Sequence, residues 1–135
     1  MRLAVRLSLD TMRWINELEK IYNAEFGGLN LGQGHVVSKA YHLLSESNEN
    51  LEDVNWVKVQ KAIIKKSEIT IEDFDNHNTN GNVTSLNLSN ETIDGIKKMQ
   101  KFLPSQLGGK RVNVGYCIQL IVKVELLKNI DTKIL

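Results

Sequence analysis

The sequence predicts a mostly α-helical protein with a short two-stranded antiparallel β-ribbon, and three observations support this fold class. A strand-like alternation followed by a capped helix stands near the N-terminus, and the same pattern recurs 81 positions later. Beyond each cap, apolar residues recur every three positions along one helical stripe. With 135 residues, 41% hydrophobic content and one cysteine, the chain can bury a core without a disulfide. We therefore expect a single domain over residues 1–135.

The recurring pattern divides the chain into two copies of one unit. Residues 1–48 form the first copy, residues 49–82 a linker with a helix, and residues 83–135 the second copy. Apolar positions match apolar positions along the aligned span, which indicates a repeated structure of strand, helix and second helix. Between residues 5 and 43 of the first copy, eight positions are identical to their partners at +81, namely Leu7, Ser8, Thr11, Ile15, Lys20, Gly27, Gly28 and Gly34.

In the first copy, residues 2–7 alternate between an outward and an apolar inward face, as a half-covered strand does. Ser8 stands at the N-cap position of a helix that should reach about residue 26, where Gly27-Gly28 end it. A second helix is predicted from Val36 to about Ser45. Trp14 and Tyr22 lie at the edge of the first helix's stripe, and we expect them to complete the core against the middle segment.

The same kinds of signal predict the elements of the linker and of the second copy. Asn50 should cap an additional amphipathic helix over residues 51–66, and the polar stretch 73–82 should let the second strand return beside the first. In the second copy we expect a strand over residues 82–88, a helix over residues 89–102, a break near Pro104 and a final helix over residues 113–129. The final helix has Asn113 as its N-cap, and its apolar run is so broad that it should be buried on most sides.

The second copy reads Leu-Asn-Leu-Ser-x-Glu-x-x-x-x-Ile-x-x-Met from residue 86, and with its strand–helix–helix order it resembles the ribbon-helix-helix family of DNA-binding proteins, the Arc and MetJ repressor type. In that family two strands pair into a ribbon that enters the major groove, above a core of four helices. The resemblance implies a tandem ribbon-helix-helix, an intramolecular pseudo-dimer, with an extra linking helix. The connections over residues 21–31 and 102–112 are longer than the tight turn usual in the family.

The resemblance also assigns candidate contacts with double-stranded DNA. Outward strand side chains would contact bases, because arginine suits guanine, asparagine suits adenine, and small apolar groups suit the thymine methyl. These residues are Arg2, Ala4, Arg6, Val83, Ser85 and Asn87. Phosphates would bind at the start of each second helix, where backbone N–H groups and nearby basic residues are available. These residues are Gln33, Gly34, Lys110, Arg111 and Val114.

Charge and composition limit the other functions. The net charge is only +1, and the sums over the first copy, the linker and the second copy are 0, −3 and +4, so specificity would depend on base contacts and on several copies binding together. No nucleophile–base pair, histidine–cysteine cluster or phosphate loop is present, so we expect no enzyme, no metal and no cofactor. The single cysteine and the lack of a long apolar run predict a cytoplasmic protein without a membrane partner.

Two roles remain open within the DNA-binding class. The fused repeat is similar to the TraY-like accessory proteins of conjugative relaxosomes, whereas plain transcriptional repressors of plasmids and other mobile elements are the larger group. The resemblance implies further copies of the chain on adjacent sites, and a relaxase or another DNA-processing protein, as additional partners. The alternative is a protein-interaction module that uses the ribbon and the linking helix to dock a partner.

Overall fold

A computed structural model of the chain describes residues 2–25, 32–48, 50–62, 82–109 and 111–130. Across these residues the fold is mostly helical, with one two-stranded antiparallel sheet, as predicted. The elements in chain order are β1 (Arg2–Leu7), α1 (Leu9–Glu25), α2 (Gln33–Ser47), a 3-10 turn (Leu51–Asp53), α3 (Trp56–Lys61), β2 (Asn82–Asn87), α4 (Asn90–Gln106) and α5 (Val114–Ile130).

The ribbon forms within the chain, because β1 pairs antiparallel with β2 in a register that places Ala4 opposite Ser85. Successive strand residues point to opposite faces, so one face of the ribbon can be covered while the other stays open. On the covered face Val5 and Leu86 are buried, whereas Arg6 and Ser85 on the other face are exposed. Both predicted strands and their inward faces are therefore confirmed.

Each strand leads into a helix through the same side-chain cap. The Ser8 hydroxyl accepts a hydrogen bond from the Thr11 N–H at 3.1 Å, and the two hydroxyl oxygens are 2.7 Å apart. Ser89 and Thr92, 81 positions later, repeat this arrangement at 3.2 Å and 2.7 Å. A side chain that accepts from an otherwise unbonded N–H stabilises a helix start by about 1 kcal/mol. The two predicted N-caps are confirmed.

Helix α5 is buried on nearly every side, as its broad apolar run predicts, and it packs against β1 and against α1 to α4. Even Lys123 and Glu125 are only 6% and 4% exposed. Burial lowers the pKa of Lys123, whose Nζ donates to the Gln60 carbonyl at 3.0 Å. Burial raises the pKa of Glu125, against the opposing effect of Lys128 at 3.2 Å. None of the described helices combines the length and the apolar character that crossing a membrane requires.

The two aromatic residues at the edge of α1 belong to the core. Trp14 and Tyr22 are only 9% and 1% exposed, so the prediction that they complete the core is confirmed. Each of the two rings lies near a lysine of a second helix. Lys123 of α5 lies 5.7 Å from the centre of the Trp14 ring, and Lys39 of α2 lies 4.9 Å from that of Tyr22.

The linking segment differs from the predicted single helix over residues 51–66. Asn50 accepts from the Glu52 N–H at 3.2 Å, as a cap should, but only the 3-10 turn follows. Asn55 then caps the short helix α3 by accepting from the Lys58 N–H at 3.1 Å. The segment is divided because the side chains of these two asparagines accept hydrogen bonds from the nearby backbone. Such local bonds compete with the bonds of one continuous helix. Residues 63–66 and the predicted loop up to residue 81 lie outside the described residues.

The break expected near Pro104 does not occur at the proline itself, and α4 runs past its predicted end at residue 102. Pro104 lies inside the last turn of α4, and backbone hydrogen bonding resumes beyond it at Leu107. Proline's fixed φ suits a helix, although proline has no N–H to donate to the carbonyl four residues earlier. The helix ends at Gln106, and Gly108 and Gly109 follow it with φ angles of 92° and 84°, which favour glycine. The corresponding pair at residues 27–28 lies outside the described residues.

The two faces of β2 give a test of the register. We expect Leu86→Ala to lower the free energy of unfolding by about 2–5 kcal/mol, because it leaves a cavity where a 1% exposed side chain was. Its neighbour Ser85 is exposed, so Ser85→Ala should change that free energy by less than about 0.5 kcal/mol. Urea unfolding of both variants measures the difference. Similar losses in the two variants would contradict this register.

Candidate nucleic-acid interface

The open face of the ribbon presents polar and small side chains. Its exposed residues are Arg2, Ala4, Arg6, Ser85 and Asn87. Five of the six residues predicted to contact bases therefore lie on one exposed surface, and none of the five is acidic. The sixth, Val83, has its backbone opposite Arg6, but its side chain is outside the described part of the chain. This surface offers guanidinium donors, an amide and a hydroxyl, the groups that recognise base edges.

The register makes the two ends of this surface chemically different. Ala4 and Ser85, which correspond at +81, lie opposite each other at its middle. At one end Arg2 is opposite Asn87, and at the other Arg6 is opposite Val83. Both arginines belong to β1. The two ends of the surface therefore have the same backbone pairing but present different side chains.

The first turn of each second helix lies against an end of the ribbon. A Cβ atom added to Gly34, near the start of α2, would overlap the carbonyl oxygen of Asn87 and lie 2.8 Å from its backbone nitrogen. A Cβ atom added to Gly115, the +81 partner of Gly34, would overlap the carbonyl oxygen of Arg6. Arg6 is in turn the residue that corresponds to Asn87. The same close backbone contact is therefore made once by each copy.

The start of α2 has backbone donors without a side-chain cap. The helix begins at Gln33, earlier than the predicted Val36, because a glycine at the N-cap is compatible with helix initiation. Gly32 occupies that N-cap and supplies no side-chain hydrogen bond, and Gln33 and Gly34 are half-buried. Unbonded N–H groups and the positive end of the helix dipole make such a start attractive to a phosphate.

The start of α5 is arranged differently. Asn113 caps it, as predicted, by accepting from the Tyr116 N–H at 2.8 Å. Arg111 is exposed just before it and Val114 is half-buried, while the predicted contact Lys110 lies outside the described residues. A cleft of about 360 Å³ beside Arg111 is bordered by α3, where the Gln60 amide donates to the Tyr116 hydroxyl at 2.8 Å. Sequence reasoning missed Gln60 and Tyr116, because their contact joins residues distant in the chain.

The buried titratable groups do not belong to this surface. Burial raises the pKa of the Cys117 thiol to about 12, so the thiol is protonated at neutral pH and inside the core. Lys123 and Glu125 lie on the same buried helix. Among the described residues, no three histidine, cysteine or acidic side chains come together as a metal site would require. The chemistry that the ribbon surface itself can offer is hydrogen bonding and charge.

Comparisons with protein-family models, with curated proteins and with solved structures found no significant match.

The glycine contacts give a second test. In a helix, Gly→Ala normally stabilises by about 1 kcal/mol. We expect Gly34→Ala and Gly115→Ala to lower the thermal midpoint instead, because the new methyl group would push the helix start from the ribbon. Gly32→Ser is the control, since no atom lies within 4 Å of a Cβ there and a serine could cap the helix. A rise in the midpoint of Gly34→Ala would contradict the close contact.

Proposed function

We propose that this chain binds double-stranded DNA in a sequence-specific manner, as a ribbon-helix-helix protein whose two copies form an intramolecular pseudo-dimer. The observation that carries the proposal is the intrachain ribbon, with the corresponding residues Ala4 and Ser85 opposite each other and an exposed face without acidic residues. A two-stranded ribbon fits the width of the major groove. The paired contacts of Gly34 and Gly115 support the pseudo-dimer.

In this proposal the open face of the ribbon contacts bases. Arg2 and Arg6 bind guanines and Asn87 binds an adenine, while Ser85 accepts several bases and Ala4 and Val83 contact thymine methyl groups. Residues four apart on one strand are separated by about 13 Å, which is close to four base-pair steps of about 3.4 Å. The two guanines should therefore lie about four base pairs apart.

Phosphate contacts fix the ribbon in the groove. The start of α2, with Gln33 and Gly34, contributes backbone N–H groups on one side. The start of α5, with Lys110, Arg111 and Val114, contributes charge and N–H groups on the other. These positions at the two ends of the ribbon support contact with the two flanking phosphate backbones.

The cellular role follows from the resemblance. We propose an accessory protein of a relaxosome or a transcriptional repressor of a plasmid or another mobile element, acting in the cytoplasm. Additional copies on adjacent sites would compensate for the small net charge, and a relaxase or another DNA-processing protein is the further partner in the first role.

The first experiment removes one base contact. We expect Arg6→Ala to weaken binding to a selected duplex by about 1–3 kcal/mol without changing the thermal midpoint, because Arg6 is exposed. Fluorescence anisotropy at two salt concentrations measures the affinity. Lys97→Ala, which removes an exposed charge from the middle of α4, is the control and should have a smaller effect.

The outcomes are distinct. Unchanged affinity in Arg6→Ala would remove this residue from the interface. If the unmodified chain showed no salt-sensitive binding to any duplex, DNA binding would be rejected, and the protein-interaction module would be the better explanation.

The second experiment tests the asymmetry of the recognised site. The unmodified chain should select a non-palindromic sequence from random duplex DNA, because its strands present different side chains. The triple variant Arg2→Val, Ala4→Ser and Arg6→Asn gives β1 the outward residues of β2. All three positions are exposed, so we expect the variant to fold and to select a palindrome. A palindrome selected by the unmodified chain would contradict the assigned contacts.

A further inference from the structure

Tyr41 of α2 packs directly on a glycine of α4. Tyr41 is 8% exposed, and a Cβ atom added to Gly95 would overlap three atoms of its phenol group. Any side chain at position 95 would therefore occupy the space that the tyrosine ring fills. This contact joins the second helix of the first copy to the first helix of the second copy.

The residues of α1 and α5 that correspond to this pair at +81 have the sizes reversed. The residue that corresponds to Gly95 is Trp14, which is buried in α1, and the residue that corresponds to Tyr41 is Val122, which is buried in α5. The Trp14 ring lies beside α5, 5.7 Å from Nζ of Lys123. Between α2 and α4 the large residue belongs to the second helix, whereas between α1 and α5, which also pack together, it belongs to the first helix.

These positions differ from the glycines that the copies share. Gly34 and Gly115 are the same in both copies and make the same backbone contact with the ribbon. They would fit any pairing of two copies, like or unlike. The exchanged sizes at Trp14, Tyr41, Gly95 and Val122 fit only one pairing. The shared contacts hold each helix to the ribbon, whereas the exchanged contacts distinguish one copy from the other.

We infer that these four side chains restrict each copy to pairing with the unlike copy. Two first copies would bring Trp14 against Tyr41 at both contacts, and a close-packed core does not accept such overlap. Two second copies would bring Gly95 against Val122 and leave a cavity at both contacts. The surface that α2 and α5 present to the opposite copy therefore fits a copy of the unlike kind and not one of the like kind.

This inference goes beyond DNA binding and does not depend on it. Each chain holds one copy of each kind, so pairing of like copies could occur only between chains and would make oligomers. The size exchange disfavours that association. It also ensures that every ribbon contains one β1 and one β2.

The test uses the full chain and three variants. Gly95→Trp with Val122→Tyr gives both halves the large residues of the first copy. Trp14→Gly with Tyr41→Val gives both halves the small residues of the second copy. The fourfold variant carries all four changes and moves each large–small pair to the opposite contact. Its amino-acid composition equals that of the unmodified chain, so helix propensities are balanced between α1 and α4.

We expect both double variants to unfold at much lower temperature than the unmodified chain, as measured by circular dichroism. The fourfold variant should recover most of the loss and remain monomeric by light scattering. Losses that simply add in the fourfold variant would overturn the inference, because independent sites add and complementary sites do not.

A smaller substitution, made in two backgrounds, tests the Tyr41–Gly95 contact if the double variants do not fold. Gly95→Ala should lower the thermal midpoint, although alanine is the better helix former. In the Tyr41→Val background the same change should raise the midpoint, because the space is then free. A rise in both backgrounds would show that Tyr41 does not fill the space beside Gly95 and would overturn the inference.

Discussion

The pairing of β1 with β2 is the interaction on which the rest of the fold depends. A single six-residue strand would expose its backbone N–H and C=O groups, and a partner strand satisfies half of them. Antiparallel pairing also places the inward residues of both strands on one side and directs α1 and α4 away from opposite ends of the ribbon. The second helices then return to those ends, where Gly34 and Gly115 contact the strands. The outward face is left open as a consequence.

The two second helices have unequal environments although they correspond in sequence. His42 of α2 is exposed and pairs with Glu46 at 2.9 Å, while its counterpart in α5, Lys123, is buried. The difference arises because α3 packs against α5, and the Lys123 amine donates to a carbonyl of α3 at 3.0 Å. Burial disfavours the charged form of a lysine, which agrees with the lowered pKa of Lys123. The linker thus makes α5 more buried than α2 at this position.

Local patterns predicted the parts of the fold that depend on local physics. The strand alternation, the serine caps at Ser8 and Ser89 and the asparagine cap at Asn113 each involve residues within a few positions of one another, and each is confirmed. The outward positions Arg2, Ala4, Arg6, Ser85 and Asn87 followed from the same alternation and are exposed. Their DNA contacts remain predictions.

Features that depend on three-dimensional packing could not be predicted in this way. The division of the linker follows from competition between Asn50 and Asn55, which periodicity does not reveal. Pro104 remains helical and α4 ends two residues beyond it, which its residue type alone did not indicate. The match of Tyr41 with Gly95 joins distant helices, and the sequence shows only that corresponding residues differ in size.

The intrachain ribbon has a consequence for how the protein behaves on dilution. When two separate chains build a ribbon, folding and DNA binding both depend on protomer concentration, and the assembly dissociates when molecules are scarce. Here the second strand is held near the first by the chain itself, at an effective concentration on the order of millimolar for a flexible connection. The ribbon is therefore complete in every single molecule. Under the proposed function, each molecule would be able to bind DNA even in a cell that contains only a few of them.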